Sequence, residues 1–214
     1  MNRSSRLGCV VGFVLAGAAV QARASMLNLS RYSYVTVSTY GGSANPGSFS
    51  ETQETNSLDP WSAAIQSTAG ASGRASQFSW VNESMFFIDG WSSIGGGAGH
   101  GGGQTPTEIR VNFDLIHVHT FTFSSTVSEA WFGYGYFKLS YFGGADIVNF
   151  ATDRNETVSG VIGPGSYQAS IRFQSGSMMG FIGGTGQFEV AVVPSVGTTG
   201  LLLMGTLTAL RRRR

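Results

Sequence analysis

The chain holds a single cysteine, Cys9, which falls in an N-terminal apolar run, so the body of the protein has no thiol. That absence rules out a disulfide framework, a thiolate metal site and a cysteine nucleophile, and it leaves stability to the apolar core. Charge is almost as scarce. Charged residues make up 12% of the chain, where an ordinary globular protein carries about 25%. With the seven arginines of the two terminal segments set aside, six basic residues remain (Arg31, Arg74, Arg110, Lys138, Arg154 and Arg172) against twelve acidic ones, a net of −6. The six are scattered along the chain, so nucleic acid, which needs a basic face to neutralise its phosphates, is not an expected partner. Helical periodicity is also missing from the body. There is no nucleophile elbow, no zinc-protease motif, and no Lys-Ser or Lys-Thr after the glycine run Gly95 to Gly103. These absences point to a non-enzymatic protein without cofactor or metal.

What the chain does have begins with its two ends. Residues 1–24 carry Arg3 and Arg6, an apolar run from Leu7 to Val20, and Ala22-Arg23-Ala24. A basic start, an apolar middle and a small-x-small close are the parts of a secretory signal peptide, cut by signal peptidase after Ala24. Cys9 sits ahead of most of the apolar run, where a lipoprotein cysteine would follow it, and so belongs to the removed piece.

Residues 193–214 read Val193-Pro194-Ser195-Val196, then an uncharged apolar run from Gly197 to Leu210, then Arg211, Arg212, Arg213 and Arg214. As a helix the run would be about 21 Å long, short against a hydrocarbon core of about 30 Å. The arginines hold the C-terminus on the cytoplasmic side of a membrane while the body lies outside. Val193, Pro194 and the arginine cluster resemble the PEP-CTERM sorting signal of exported bacterial proteins, with Pro-Ser-Val standing where the family has Pro-Glu-Pro. The resemblance covers about a tenth of the chain. It implies transient membrane insertion of the tail, processing by an exosortase-like enzyme, and delivery to the cell surface or an extracellular polysaccharide matrix.

Between the ends, residues 25–192 suit one domain. Ile109, Val111, Phe113 and Leu115 alternate with polar residues, as do Tyr167, Ala169, Ile171 and Phe173, the period of half-buried strands. Trp131 to Phe142 reads as one long aromatic strand, and Gly95 to Gly103 as a flexible loop. About ten short strands with glycine-rich turns predict an all-β fold, an antiparallel β-sandwich of jelly-roll type.

Chemistry-bearing candidates are few. His117 and His119, two apart, would point the same way on a regular strand and could share a metal with His100 as a third ligand; no carboxylate or cysteine is spaced to complete the set, and solvent-facing or satisfied histidines are the better reading. Asp146, Asp153 and Asn155 read as a polar turn rather than a calcium loop. Asp89, Asp114 and Glu129 cannot be placed relative to one another by sequence. Trp61, Trp80, Trp91, Trp131, Tyr134 and Tyr136 could stack on sugar rings if exposed, with core packing as the competing reading. Two functions follow: a structural component of the cell surface or biofilm matrix, sorted by its tail, or a glycan-binding module using exposed aromatics. A released form beginning at Ser25 and lacking Arg211–Arg214 is the expected result of intact-mass measurement on native fractions; a membrane form retaining Arg214 would contradict the processed-tail reading.

Overall fold

The structure, a computed structural model, describes residues 26–43, 45–96 and 101–193. Ala22, Ala24, His100, Pro194, the apolar run Gly197 to Leu210 and the cluster Arg211–Arg214 lie outside the described residues.

Alternating apolar and polar residues make strands of nearly everything else. In chain order the elements are β1 (Leu27–Gly42), β2 (Asn45–Thr55), β3 (Trp61–Gln66), β4 (Ser72–Val81), β5 (Met85–Gly95), β6 (Gly102–Gln104) and β7 (Thr107–Leu115). They continue with β8 (His119–Trp131), β9 (Gly133–Tyr141), β10 (Asp146–Thr152), β11 (Glu156–Ile162), β12 (Gly165–Ser175) and β13 (Gly180–Val192). The strands form two antiparallel sheets, one ordered β10-β9-β12-β7-β1-β2 with β6 also pairing β1, the other β11-β8-β13-β5-β4-β3. From β5 onward, β6 apart, the chain crosses between the sheets at almost every connection, giving the orders β5-β13-β8-β11 and β7-β12-β9-β10. This is the interleaving of a jelly roll, with β1 and β2 extending one sheet and β3 and β4 the other.

The interior divides in two. Its larger part is a phenylalanine cluster centred on Phe188 of β13, whose ring lies 4.7 Å from Phe123, 5.2 Å from Phe86, 5.6 Å from Phe113 and 6.3 Å from Phe121. Ile109, Val111, Phe137, Ile171 and Phe173 complete the cluster from the opposite sheet. The smaller part is Val35, Val37, Ile65 and Ala75, flanked by Phe49, Trp61 and Ala63.

Between the two clusters the filling is polar and internally satisfied, as buried polar groups must be. Thr105 bonds Ser92 at 2.9 Å and Ser175 at 2.7 Å, and the Ser175 N–H donates to Ser92 at 2.8 Å. Gln77 bonds Thr107 at 2.6 Å and Ser79 at 2.8 Å. Arg31, only 3% exposed, donates to Ser33 Oγ and Ser79 Oγ and to the carbonyls of Ser57 and Asp59. It thereby fastens the β2–β3 loop over the end of the sandwich. Burial pulls its guanidinium down to about 10, so it stays charged at neutral pH.

Three expectations are corrected. Trp131 to Phe142 is two strands in different sheets, because Phe132 takes a left-handed φ of 51° and turns the chain across the sandwich at Gly133, where a side chain would strike Phe181 and Ile182. The glycine run is not all loop: Gly102 and Gly103 pair with Tyr40 and Thr39 as β6. His117 lies exposed in the β7–β8 turn, whereas His119 is buried with Nδ1 2.9 Å from the His117 carbonyl, so the two do not share a face.

If the last strand closes the domain through Phe188, Phe188→Ala costs about 3–5 kcal/mol in denaturant unfolding. A loss under about 1 kcal/mol would contradict the packing.

Candidate functional site

Because β3, β4 and β5 alternate, fixing their inner residues fixes the outer ones. The inner face of β4 carries Gly73, Ala75, Gln77 and Ser79, all buried, and Thr39 and Val37 of β1 leave no space for a side chain at Gly73. Its outer face carries Arg74, Ser76, Phe78 and Trp80. On β5 the outer residues are Phe87, Asp89, Trp91 and Ser93. Register sets Ser76 opposite Trp91, Phe78 opposite Asp89 and Trp80 opposite Phe87. The first two pairs make a square, with the rings of Phe78 and Trp91 on one diagonal and the polar groups of Ser76 and Asp89 on the other.

Small residues open the site. Ser62 and Ala64 continue the two rows onto β3, and with the square they line a shallow depression of about 500 Å³. On the other side Trp91 lies across Gly183 of β13; a Cβ there would collide with the indole. The indole is held nearly parallel to Phe181, centroids 5.9 Å apart and planes 10° apart, while Trp80 stacks on Phe87 at 5.9 Å and 21°. Phe78 is 44% exposed and stands against solvent. The Asp89 carboxylate is exposed and makes no hydrogen bond or ion pair among the described residues. An outward aromatic surface beside an acceptor unpaired among the described residues is suited to a ligand with an apolar face and hydroxyl donors at its edge.

The six aromatic candidates separate. Trp80, Trp91 and Trp131 share the outer face of the six-stranded sheet, Trp131 (50% exposed) joining at its far end through Phe181, 6.3 Å away. Tyr134 and Tyr136, 45% and 39% exposed, stand on the outer face of the other sheet. Trp61 points inward and, half-buried, packs on the flank of the Val35 cluster. Of the carboxylates, Asp89 and Glu129 share the first face, and Asp114 lies on the second, bonded to Asn28 at 2.6 Å. Asp146 is paired with Lys138 at 2.9 Å, and Asn155 caps the Val127 N–H at 2.7 Å, both serving structure. Val193 closes the described chain, its N–H donating to the Val118 carbonyl at 3.1 Å. Sequence reasoning missed Phe78 as a site residue; the clue was its two-residue spacing from Trp80 opposite a run of small residues.

No family model and no curated protein matches the chain. Among solved structures, the chain is similar to TmCBM61, solved in complex with β-1,4-galactotriose, at a TM-score of 0.30 and 10% identity, over 62% of this chain and 88% of that one. It is also similar to the enzymatically active domain of bacteriophage CBA120 tailspike protein 4, at 0.26 and 13%, over 63% of this chain and 19% of that one. A third similarity is to carbohydrate-binding modules from a β-sandwich superfamily, at 0.21 and 8%, over 76% and 84%. These scores carry no assignment, and the function has to be read from the residues of this chain.

The inward and outward placements predict opposite stability effects. Trp61→Ala should cost roughly 2 kcal/mol, about half the full-burial value, and Phe78→Ser should stay within about 0.5 kcal/mol in thermal or denaturant unfolding. The reverse order would contradict the assignment of faces.

Proposed function

We propose that this domain is a glycan-binding β-sandwich that works outside the cell and catalyses nothing. The observation that carries the reading is the outward square on β4 and β5, where the Phe78 and Trp91 rings flank Ser76 and the unpaired Asp89 carboxylate. One face of a pyranose ring is lined by C–H groups, which lie well on an aromatic plane, and its hydroxyls donate to a carboxylate or exchange bonds with a serine. Aromatic stacking supplies contact area at little entropy cost, and the polar pair orients the sugar. A shallow, open trough suits the side of a polysaccharide chain.

The terminal segments fit this role. Signal peptidase would release the body after Ala24, and an exosortase-like enzyme would act near Pro194, leaving the domain at the surface or in the extracellular polysaccharide it binds. A surface or matrix component that holds its place by binding glycan joins the two functions that the sequence suggests.

Affinity electrophoresis of the full chain through gels containing soluble neutral polysaccharides (β-1,4-galactan, mixed-linkage β-glucan, xylan, galactomannan) tests the reading. Retardation is expected in at least one, and Trp91→Ala should weaken it about tenfold or more, equivalent to about 1.4 kcal/mol. A Phe78→Ala/Trp91→Ala double variant as retarded as the parent would contradict it.

A further inference from the structure

The opposite sheet presents a different surface. Across its outer face the register sets Tyr136 of β9, Arg172 of β12, Glu108 of β7 and Tyr34 of β1 in one row. The neighbouring row is Lys138, Ser170, Arg110 and Tyr32. Three of the six basic residues of the body therefore meet on one face of a domain whose net charge is −6.

The partners of these groups are nearly all accounted for. Glu108, although on the outer face, is buried; it accepts from the Tyr34 hydroxyl at 2.8 Å and pairs with Arg110 at 2.9 Å. Burial and the Glu108 carboxylate push the Tyr34 phenol up, so it remains a donor. Lys138 is paired with Asp146 at 2.9 Å. Arg172 is the exception. It stands directly opposite Glu108 in register, yet among the described residues its side chain forms no ion pair and no hydrogen bond, and its Nε is shut away from solvent without a partner. A desolvated guanidinium donor with nothing to donate to is costly, and most such groups in folded proteins are satisfied. Beside it Tyr136 is exposed, with Tyr134 6.4 Å from Tyr136 between ring centroids.

We infer that this face is a second binding surface, separate from the square around Trp91, and that it takes a carboxylate-bearing glycan, with a uronate carboxylate seated on Arg172 and the sugar ring against Tyr136 and Tyr134. With Nε closed off, the carboxylate meets the two terminal guanidinium nitrogens of Arg172 end-on through two parallel hydrogen bonds, which a lysine cannot reproduce. Glu108, paired with the Arg110 cation and hydrogen-bonded by the Tyr34 hydroxyl, repels the incoming carboxylate little. The tyrosines supply the apolar plane and free hydroxyls. The two faces would let one domain bridge a neutral and an acidic polysaccharide, or two chains of a mixed one.

The test uses the full chain and three probes: polygalacturonate, its methyl ester and dextran sulfate. Polygalacturonate should bind, the ester at least about tenfold more weakly, and dextran sulfate more weakly than polygalacturonate at physiological salt. Arg172→Gln should abolish at least nine-tenths of the affinity, Arg172→Lys should recover only part of it, and Tyr136→Ala should weaken it several-fold. Trp91→Ala, which cripples the neutral site, should leave polygalacturonate binding unchanged, so the two sites fail independently. The inference is overturned if polygalacturonate does not bind, if its ester binds equally, if dextran sulfate matches it, or if Arg172→Gln and Tyr136→Ala both bind like the parent.

Discussion

The ring of Phe188 is where this domain is closed. It sits on the last strand, which threads between β5 and β8, and it touches phenylalanines from β5, β7 and β8. Burying a side chain of this size stabilises the fold by about 1.5–3 kcal/mol, and the neighbouring ring contacts add to that. The contact also fixes register. Phe188 must face inward, so Phe181, Gly183 and Thr185 face outward, and Gly183 is thereby positioned beneath Trp91. A slip of β13 by one residue would send Phe181 inward, away from Trp91, and Phe188 into water.

The placement of the binding square follows from how the interior is filled. Val35 and Val37 of β1 pack with Ala75, Val37 and Thr39 close on Gly73, Arg31 bonds Ser79 and Thr107 bonds Gln77, so the interior that β4 faces is filled from the opposite sheet. The rings of β4 consequently point outward, against the usual preference for aromatics inside. The polar seam from Arg31 to Ser175 accompanies this arrangement. Its hydrogen bonds are made within the sandwich, so it holds the sheets in one relative position rather than many.

Much of this was legible in the chain. The alternation around Ile109 and Tyr167 placed β7 and β12, and the absence of helical period left a two-sheet fold as the natural outcome. Alternation, however, says which residues share a face and not which face is buried. Trp61 and Trp80 have equal claims by sequence, yet one packs on Val35 and the other stands outside. The break at Phe132 was hidden because both flanking strands are aromatic and the turn depends on one positive φ. Arg172 could not be singled out, since whether an arginine has a partner is decided by register across several strands.

The two outer faces thus differ in chemistry: one has indole, phenyl and a carboxylate unpaired among the described residues, the other tyrosines around an arginine whose Nε is buried without a partner. The central claim is that the first of these holds sugar. It is most directly tested by following the four tryptophan indole N–H signals by nuclear magnetic resonance while a retarding neutral polysaccharide fragment is added. The Trp91 signal is expected to shift with saturation and to move further than that of Trp61, which packs inward against the Val35 cluster. A titration in which binding saturates and Trp91 does not move, or moves no more than Trp61, would contradict it.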